Sequence, residues 1–91
     1  MKYDSLAHGG VMQIQDARVF FSAGKIKKAV IKPAPFEPGS WVLELQNFSK
    51  TWNVTRQRGG DRIFKSLDAA YQAAFDIGFR EVLIQHSGLH F

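Results

Sequence analysis

Trp41-Val42-Leu43-Glu44-Leu45-Gln46, a turn over 47–50, and then Thr51-Trp52-Asn53-Val54-Thr55-Arg56-Gln57 decide the fold. In the first run Trp41, Leu43 and Leu45 fall on one side and Val42, Glu44 and Gln46 on the other. In the second, Trp52 and Val54 oppose Thr51, Asn53, Thr55 and Gln57. Period-two alternation places successive side chains on opposite faces, so both runs read as half-buried strands joined as a hairpin. Downstream, residues 66–77 switch to a helical period, with Leu67, Ala70, Tyr71, Ala74 and Ile77 forming an apolar stripe opposite Asp68, Gln72 and Asp76. Ser66 is placed to cap that helix, Asp68 to sit in its positive first turn, and Gly78 to end it in a left-handed conformation. A helix with one apolar stripe must cover one side of the sheet.

Working outward, Val30 and Ile31 make 27–32 a strand that runs into Pro33-Ala34-Pro35. Proline donates nothing to a ladder, so this strand is expected at a sheet edge or to break off at Pro33. The glycines of Arg58-Gly59-Gly60-Asp61 suit a tight turn, after which 62–64 returns as a short strand. The run Val82-Leu83-Ile84 within 81–85 suits a last strand covered on both faces. Before the hairpin, Ile14, Ala17, Phe20 and Phe21 recur at three- and four-residue steps in 12–23, a short amphipathic helix stopped by Gly24, although Val19-Phe20-Phe21 is equally at home in a strand. Residues 1–10 read as a loose arm ahead of a single domain over 11–91. The expected fold is two-layer α+β: a mostly antiparallel sheet of four or five strands with two helices, in the order α-β-β-β-(β)-α-β.

The chain has 91 residues, 45% hydrophobic and 22% charged, with no cysteine. That length buries a real core, and that composition is ordinary for globular proteins. Without thiols there is neither a disulfide framework nor a thiolate metal site, and a reducing cytoplasm is the expected home. No stretch has the length of a signal peptide's apolar core or of a membrane span, so no membrane partner is expected.

The net charge of +4 is unevenly spread. Between Lys25 and Lys65 lie nine cations (Lys25, Lys27, Lys28, Lys32, Lys50, Arg56, Arg58, Arg62, Lys65) against Glu37, Glu44 and Asp61, while the flanks are net acidic. A basic middle between acidic ends suits a polyanionic partner, and equally a solvated surface. Arg56, Arg58 and Arg62 cluster around a glycine pair, with Lys50 and Lys65 close in sequence. Arginine forks grip phosphates, Asn and Gln read adenine edges, and a stranded ribbon with such a face enters a major groove. The plain alternative is the polar outer face of any half-buried sheet. Trp41 and Trp52 open apolar faces and belong to the core, whereas Phe48, in the turn, is the freer stacking residue. A single Arg58-Gly59-Gly60 element suits a hairpin tip as well as an anion cradle.

Catalytic and metal chemistry find no support in these residues. His86 and His90 are four apart, but Ser87-Gly88 breaks any helix that would align them, and His8 lies in the arm. Ser22, Ser40, Ser49, Ser66 and Ser87 stand in no nucleophile-elbow sequence. No enzyme activity, cofactor or small-molecule substrate is expected. Leu89 and Phe91 leave apolar side chains past the last strand, which either fold back or, with an exposed edge strand, pair a second copy as a homodimer or protein-interaction module.

Together, Phe20-Phe21 with Ala23-Gly24, Trp41-Val42-Leu43, Arg56-Gln57-Arg58-Gly59, Arg62-Ile63-Phe64-Lys65-Ser66-Leu67-Asp68-Ala69-Ala70 and Gly78-Phe79-Arg80-Glu81-Val82 form a pattern across residues 14 to 84. It resembles small plasmid-borne bacterial proteins labelled as replication accessories of RepB type. The portion around Phe64 to Ala74 is also similar to the three-strand-plus-helix domains of plant transcription factors and phage integrases, which bind DNA through the sheet. The first helix and last strand have no counterpart in those domains. The resemblances imply an accessory of a plasmid or other mobile element, and the basic middle segment makes it a non-enzymatic DNA binder with Lys50, Arg56, Arg58, Arg62 and Lys65 expected on phosphates.

Overall fold

Alternation and helical period both appear in a computed structural model of the protein, which describes residues 10–48, 50–56 and 60–85. The elements run β1 (Gly10–Gln13), α1 (Ile14–Ser22), β2 (Lys28–Pro33), β3 (Trp41–Asn47), β4 (Lys50–Thr55), α2 (Leu67–Ile77) and β5 (Leu83–Ile84). The sheet order is β1-β4-β3-β2-β5. β3 pairs antiparallel with both neighbours, whereas β1 with β4 and β2 with β5 are parallel. The fold is α+β in two layers, but its sheet is mixed: β3 alone of the described strands opposes the others.

β1–α1–β2 and β4–α2–β5 each step three strand positions in the same sense. Both helices join one core against the same sheet face, so the two crossovers share a hand. Parallel strands need such crossovers, whereas β2, β3 and β4 meet through turns.

Register explains which residues fill the core. Ala29 lies opposite Leu45 and Leu45 opposite Trp52, while Ile31 is flanked by Leu43 and Ile84. Ile31, Leu43, Leu45 and Val54 are fully buried under Ala17 of α1 and Ala70, Ala73, Ala74 and Ile77 of α2. Each fully buried aliphatic side chain contributes about 1.5–3 kcal/mol relative to exposure. Phe20 meets Trp52 edge to face at 6.2 Å. The small alanines on α2 let the helix approach the sheet. The Ser66 hydroxyl accepts from the Ala69 N–H at 3.1 Å, and Gly78 ends α2 at φ +135°.

Several expectations are corrected. The first helix begins at Ile14, because Gly10–Gln13 pairs with β4 as a strand, and only 1–9 of the expected arm lie outside the described residues. Of the two outcomes expected for β2, the strand ends at Pro33 but is not at the edge: Val30 and Ile31 pair with β5, and Pro33 sits beyond the reach of that two-residue partner. Segment 62–64 gives one bridge, Phe64 to Trp41, instead of a strand. β5 is the exposed edge, with Leu83 and Ile84 at 56% and 46% exposure, so its apolar run does not report burial on both faces. Tyr71 leaves the apolar stripe and stacks with Phe75 in solvent, Ala73 taking its place inside. Among the described residues no helix is long and apolar enough to cross a membrane.

Candidate nucleic-acid interface

The face of the sheet away from the helices carries the polar row expected of it. Lys28, Gln46 and Thr51 stand in one cross-strand row, and Leu83, Val30, Glu44, Asn53 and Val11 in the next. Its cations among the described residues are Lys28 and Lys32, and Lys32 is held by Glu44 at 3.2 Å. Gln46 donates to the same carboxylate at 3.1 Å. Val30 and Val42 on this face are buried. It is a mixed, nearly neutral surface.

The arginines and lysines named from sequence do not gather there. β4 separates Lys50, at its start, from Arg56, just past its end. Six residues of strand at about 3.3 Å each put them about 20 Å apart. Arg56 folds against the turn, its N–H donating to the Gly60 carbonyl at 3.0 Å. Arg62 rests over the Phe64 ring at 5.5 Å. Lys65 is engaged by Glu37 at 2.7 Å, and that hydrogen bond, a second from Ser40 and the charge of Lys65 hold the Glu37 carboxyl below the ordinary carboxylate range. Arg58 lies outside the described residues, as do His8, His86, His90 and the 89–91 tail.

A different set of cations does converge, at the opposite end of the sheet. The Lys27 N–H donates to the Gln46 carbonyl at 2.8 Å, and the Asn47 side chain donates to the Lys25 carbonyl at 2.7 Å. Lys28 lies opposite Gln46, and Lys50 opposite Asn47. The end of the β3–β4 hairpin is therefore stitched to the approach of β2, and Lys25, Lys27, Lys28 and Lys50 ring one edge of the molecule. All four are exposed, and none has an ion pair among the described residues. Glu81 lines a shallow cleft with Lys27 and Lys28. At the hairpin turn beside Lys50 stands Phe48, 94% exposed and at φ +55°.

The signal for this cluster was present in the sequence as Lys25-Ile26-Lys27-Lys28. Arginine density around the glycine pair drew the reading elsewhere, because the pairing that brings residue 50 beside residue 47 and residue 28 beside 46 is a tertiary fact. Trp52 is buried and Trp41 half-buried, in keeping with core roles, and Phe48 is the free aromatic expected.

No family model, curated protein or solved structure matches the chain.

Proposed function

We propose that the protein is a non-enzymatic DNA-binding accessory that grips phosphates with Lys25, Lys27, Lys28 and Lys50 and stacks Phe48 on an unpaired base. The observation that carries this reading is the meeting of the segments that bear Lys25, Lys27, Lys28 and Lys50 at one hairpin end, where Phe48 is exposed. Lysines at this spacing neutralise a phosphate backbone without reading sequence, and an exposed ring adds about 1–3 kcal/mol per stacked base. The resemblance to RepB-type accessories agrees with it and would set the role in the cytoplasm, on a plasmid or other mobile element.

Fluorescence anisotropy with labelled single-stranded and duplex oligonucleotides over a salt series tests this. Four contacts predict a log-log salt slope of about −2.8 on single strands and about −3.6 on duplex. Replacing all four lysines by glutamine should remove binding, while Arg56→Gln with Lys65→Gln should leave it within about twofold. No binding at low salt, or binding indifferent to the four-lysine replacement, overturns the proposal.

A second reading, pairing of two copies, is favoured by one observation: the outer edge of β5 is open among the described residues and its side chains are apolar and exposed. Light scattering across a concentration series decides it. A dimer that Leu83→Lys converts to monomer supports it, and a monomeric parent chain rejects it.

A further inference from the structure

The end of the molecule remote from the lysines presents a side chain that the fold does not use. Phe36, in the 34–40 turn between β2 and β3, is 97% exposed. Its loop is nevertheless closely held. The Ala34 N–H donates to the Ser40 carbonyl at 2.9 Å, and the Ser40 N–H to the Glu37 carbonyl at 3.1 Å. Glu37 Oε2 accepts from the Ser40 hydroxyl at 3.0 Å and from Lys65 at 2.7 Å, which ties the loop to the segment leading into α2. Pro35 and Pro38 fix two further φ angles. The turn's one charge is thus drawn back to Lys65, and Pro35, Phe36 and Pro38 form an exposed apolar tip. A ring ordered in advance loses little entropy on binding, which makes it an anchor instead of a loose contact.

The same end holds a groove of about 600 Å³, to which Ile14, Phe64, Ala69 and Ala73 give apolar walls and Arg18 and Arg62 add charge. Segment 62–65 is common to loop and groove: Arg62 and Phe64 line the groove, the Phe64 backbone pairs with Trp41, and Lys65 holds Glu37. Neither arginine has an ion pair among the described residues. Both bonds to the Glu37 carboxylate fall on Oε2, which leaves Oε1 to a second donor.

We infer that Phe36 of one copy of the chain seats in the groove of a second copy, and that a two-fold axis makes the insertion reciprocal. A knob and a hole side by side on one chain are self-complementary under such an axis, because each copy gives and receives the same contact. Charge agrees with this. Glu37 follows the inserted ring in sequence and arrives where Arg18 and Arg62 line the groove, and forked guanidiniums suit a carboxylate. Each inserted ring buries about 150–250 Å², and the walls that receive it lose a similar area. Two such insertions make an interface at the small end of specific ones, so the dimer dissociates in the micromolar range. The pairing uses a surface apart from the β5 edge and from the lysines, and is independent of strand pairing and of DNA binding.

Sedimentation velocity of the full chain, from low micromolar to near-millimolar concentration, tests the inference. The parent chain should pass from monomer to dimer and no further. Phe36→Ser should weaken association at least tenfold at an unchanged melting temperature, because the ring is in solvent within its own chain. Ala69→Glu, at an exposed helical position that lines the groove, should do the same from the receiving side. Mixed together, the two variants should associate more tightly than either does alone, since the mixed pair retains one intact insertion. Leu83→Lys and the four-lysine replacement should leave the dimer as it is. A parent chain that stays monomeric overturns the inference, as does a dimer that survives Phe36→Ser or that only Leu83→Lys dissolves. Variants that fail to associate when mixed overturn the reciprocal insertion.

Discussion

The ring of Phe21 on α1 lies where a side chain on Gly78 would have to be: a Cβ built at Gly78 stands 2.5 Å from two of its carbons. Gly78 ends α2 at φ +135°, and Phe21 packs edge to face on Phe79 at 4.7 Å. This contact locks the end of one crossover helix onto the other. Gly78→Ala therefore meets two penalties, about 1 kcal/mol or more for the backbone conformation and about 1–3 kcal/mol for the clash. Urea denaturation should show a loss of about 2–4 kcal/mol. A midpoint equal to the parent's would mean that Phe21 moves aside freely and that the helix junction is loose.

Loss of the α2 cap is a smaller and cleaner perturbation. Ser66 is exposed and its hydroxyl serves the Ala69 N–H. Ser66→Ala should cost about 1 kcal/mol, and Ser66→Asp should restore most of it, because a carboxylate accepts the same bond and faces the positive end of the helix. Thermal melts of the two variants check the order; an alanine variant as stable as the parent would show that the cap does not limit stability.

How much of this was legible before the coordinates differs by element. The faces of β3 and β4 and the caps of α2 follow from spacing alone, since period two and a Ser…Gly frame leave few alternatives. β1 was not legible: Gly10-Val11-Met12-Gln13 is four residues long and its pairing partner is 42 residues away. β5 was misread for a related reason. An apolar triplet marks a strand without saying whether its outer neighbour exists, and here the sheet simply ends at Leu83 and Ile84. The lysine edge was the least legible, because the meeting of Lys25, Lys27, Lys28 and Lys50 depends on three separate chain segments converging through Gln46 and Asn47.

Acid titration should report the Glu37 cluster. Its carboxyl is held below the ordinary value of 4.5 by the Lys65 and Ser40 hydrogen bonds. A carboxyl whose folded value lies below its unfolded one stabilises the fold above the unfolded value, and that contribution fades as pH falls through the folded value. The Glu37 side chain is about half-exposed and Lys65 is exposed, so solvent screens the pair and the effect on stability is small, but the titration itself is direct. Side-chain NMR should give Glu37 a midpoint below the ordinary carboxylate value, and Lys65→Gln should raise it toward the ordinary range. A Glu37 midpoint unmoved by that substitution would show that the pair does not form in solution.

Phe48 offers a test in which stability and binding move in opposite directions. A large aromatic at φ +55° occupies a conformation that costs about 1–2 kcal/mol for most residues, and asparagine tolerates it better. The ring returns little for that cost, since it is 94% exposed. A residue kept in strain and in solvent at the hairpin turn beside Lys50 has the placement expected of a contact residue. Phe48→Asn should therefore raise stability by up to about 1 kcal/mol while weakening single-stranded DNA binding by about 1–3 kcal/mol. Urea denaturation and anisotropy on the same preparation measure both. A variant that is more stable and binds DNA as tightly as the parent would remove Phe48 from the interface and leave the lysines to act by charge alone.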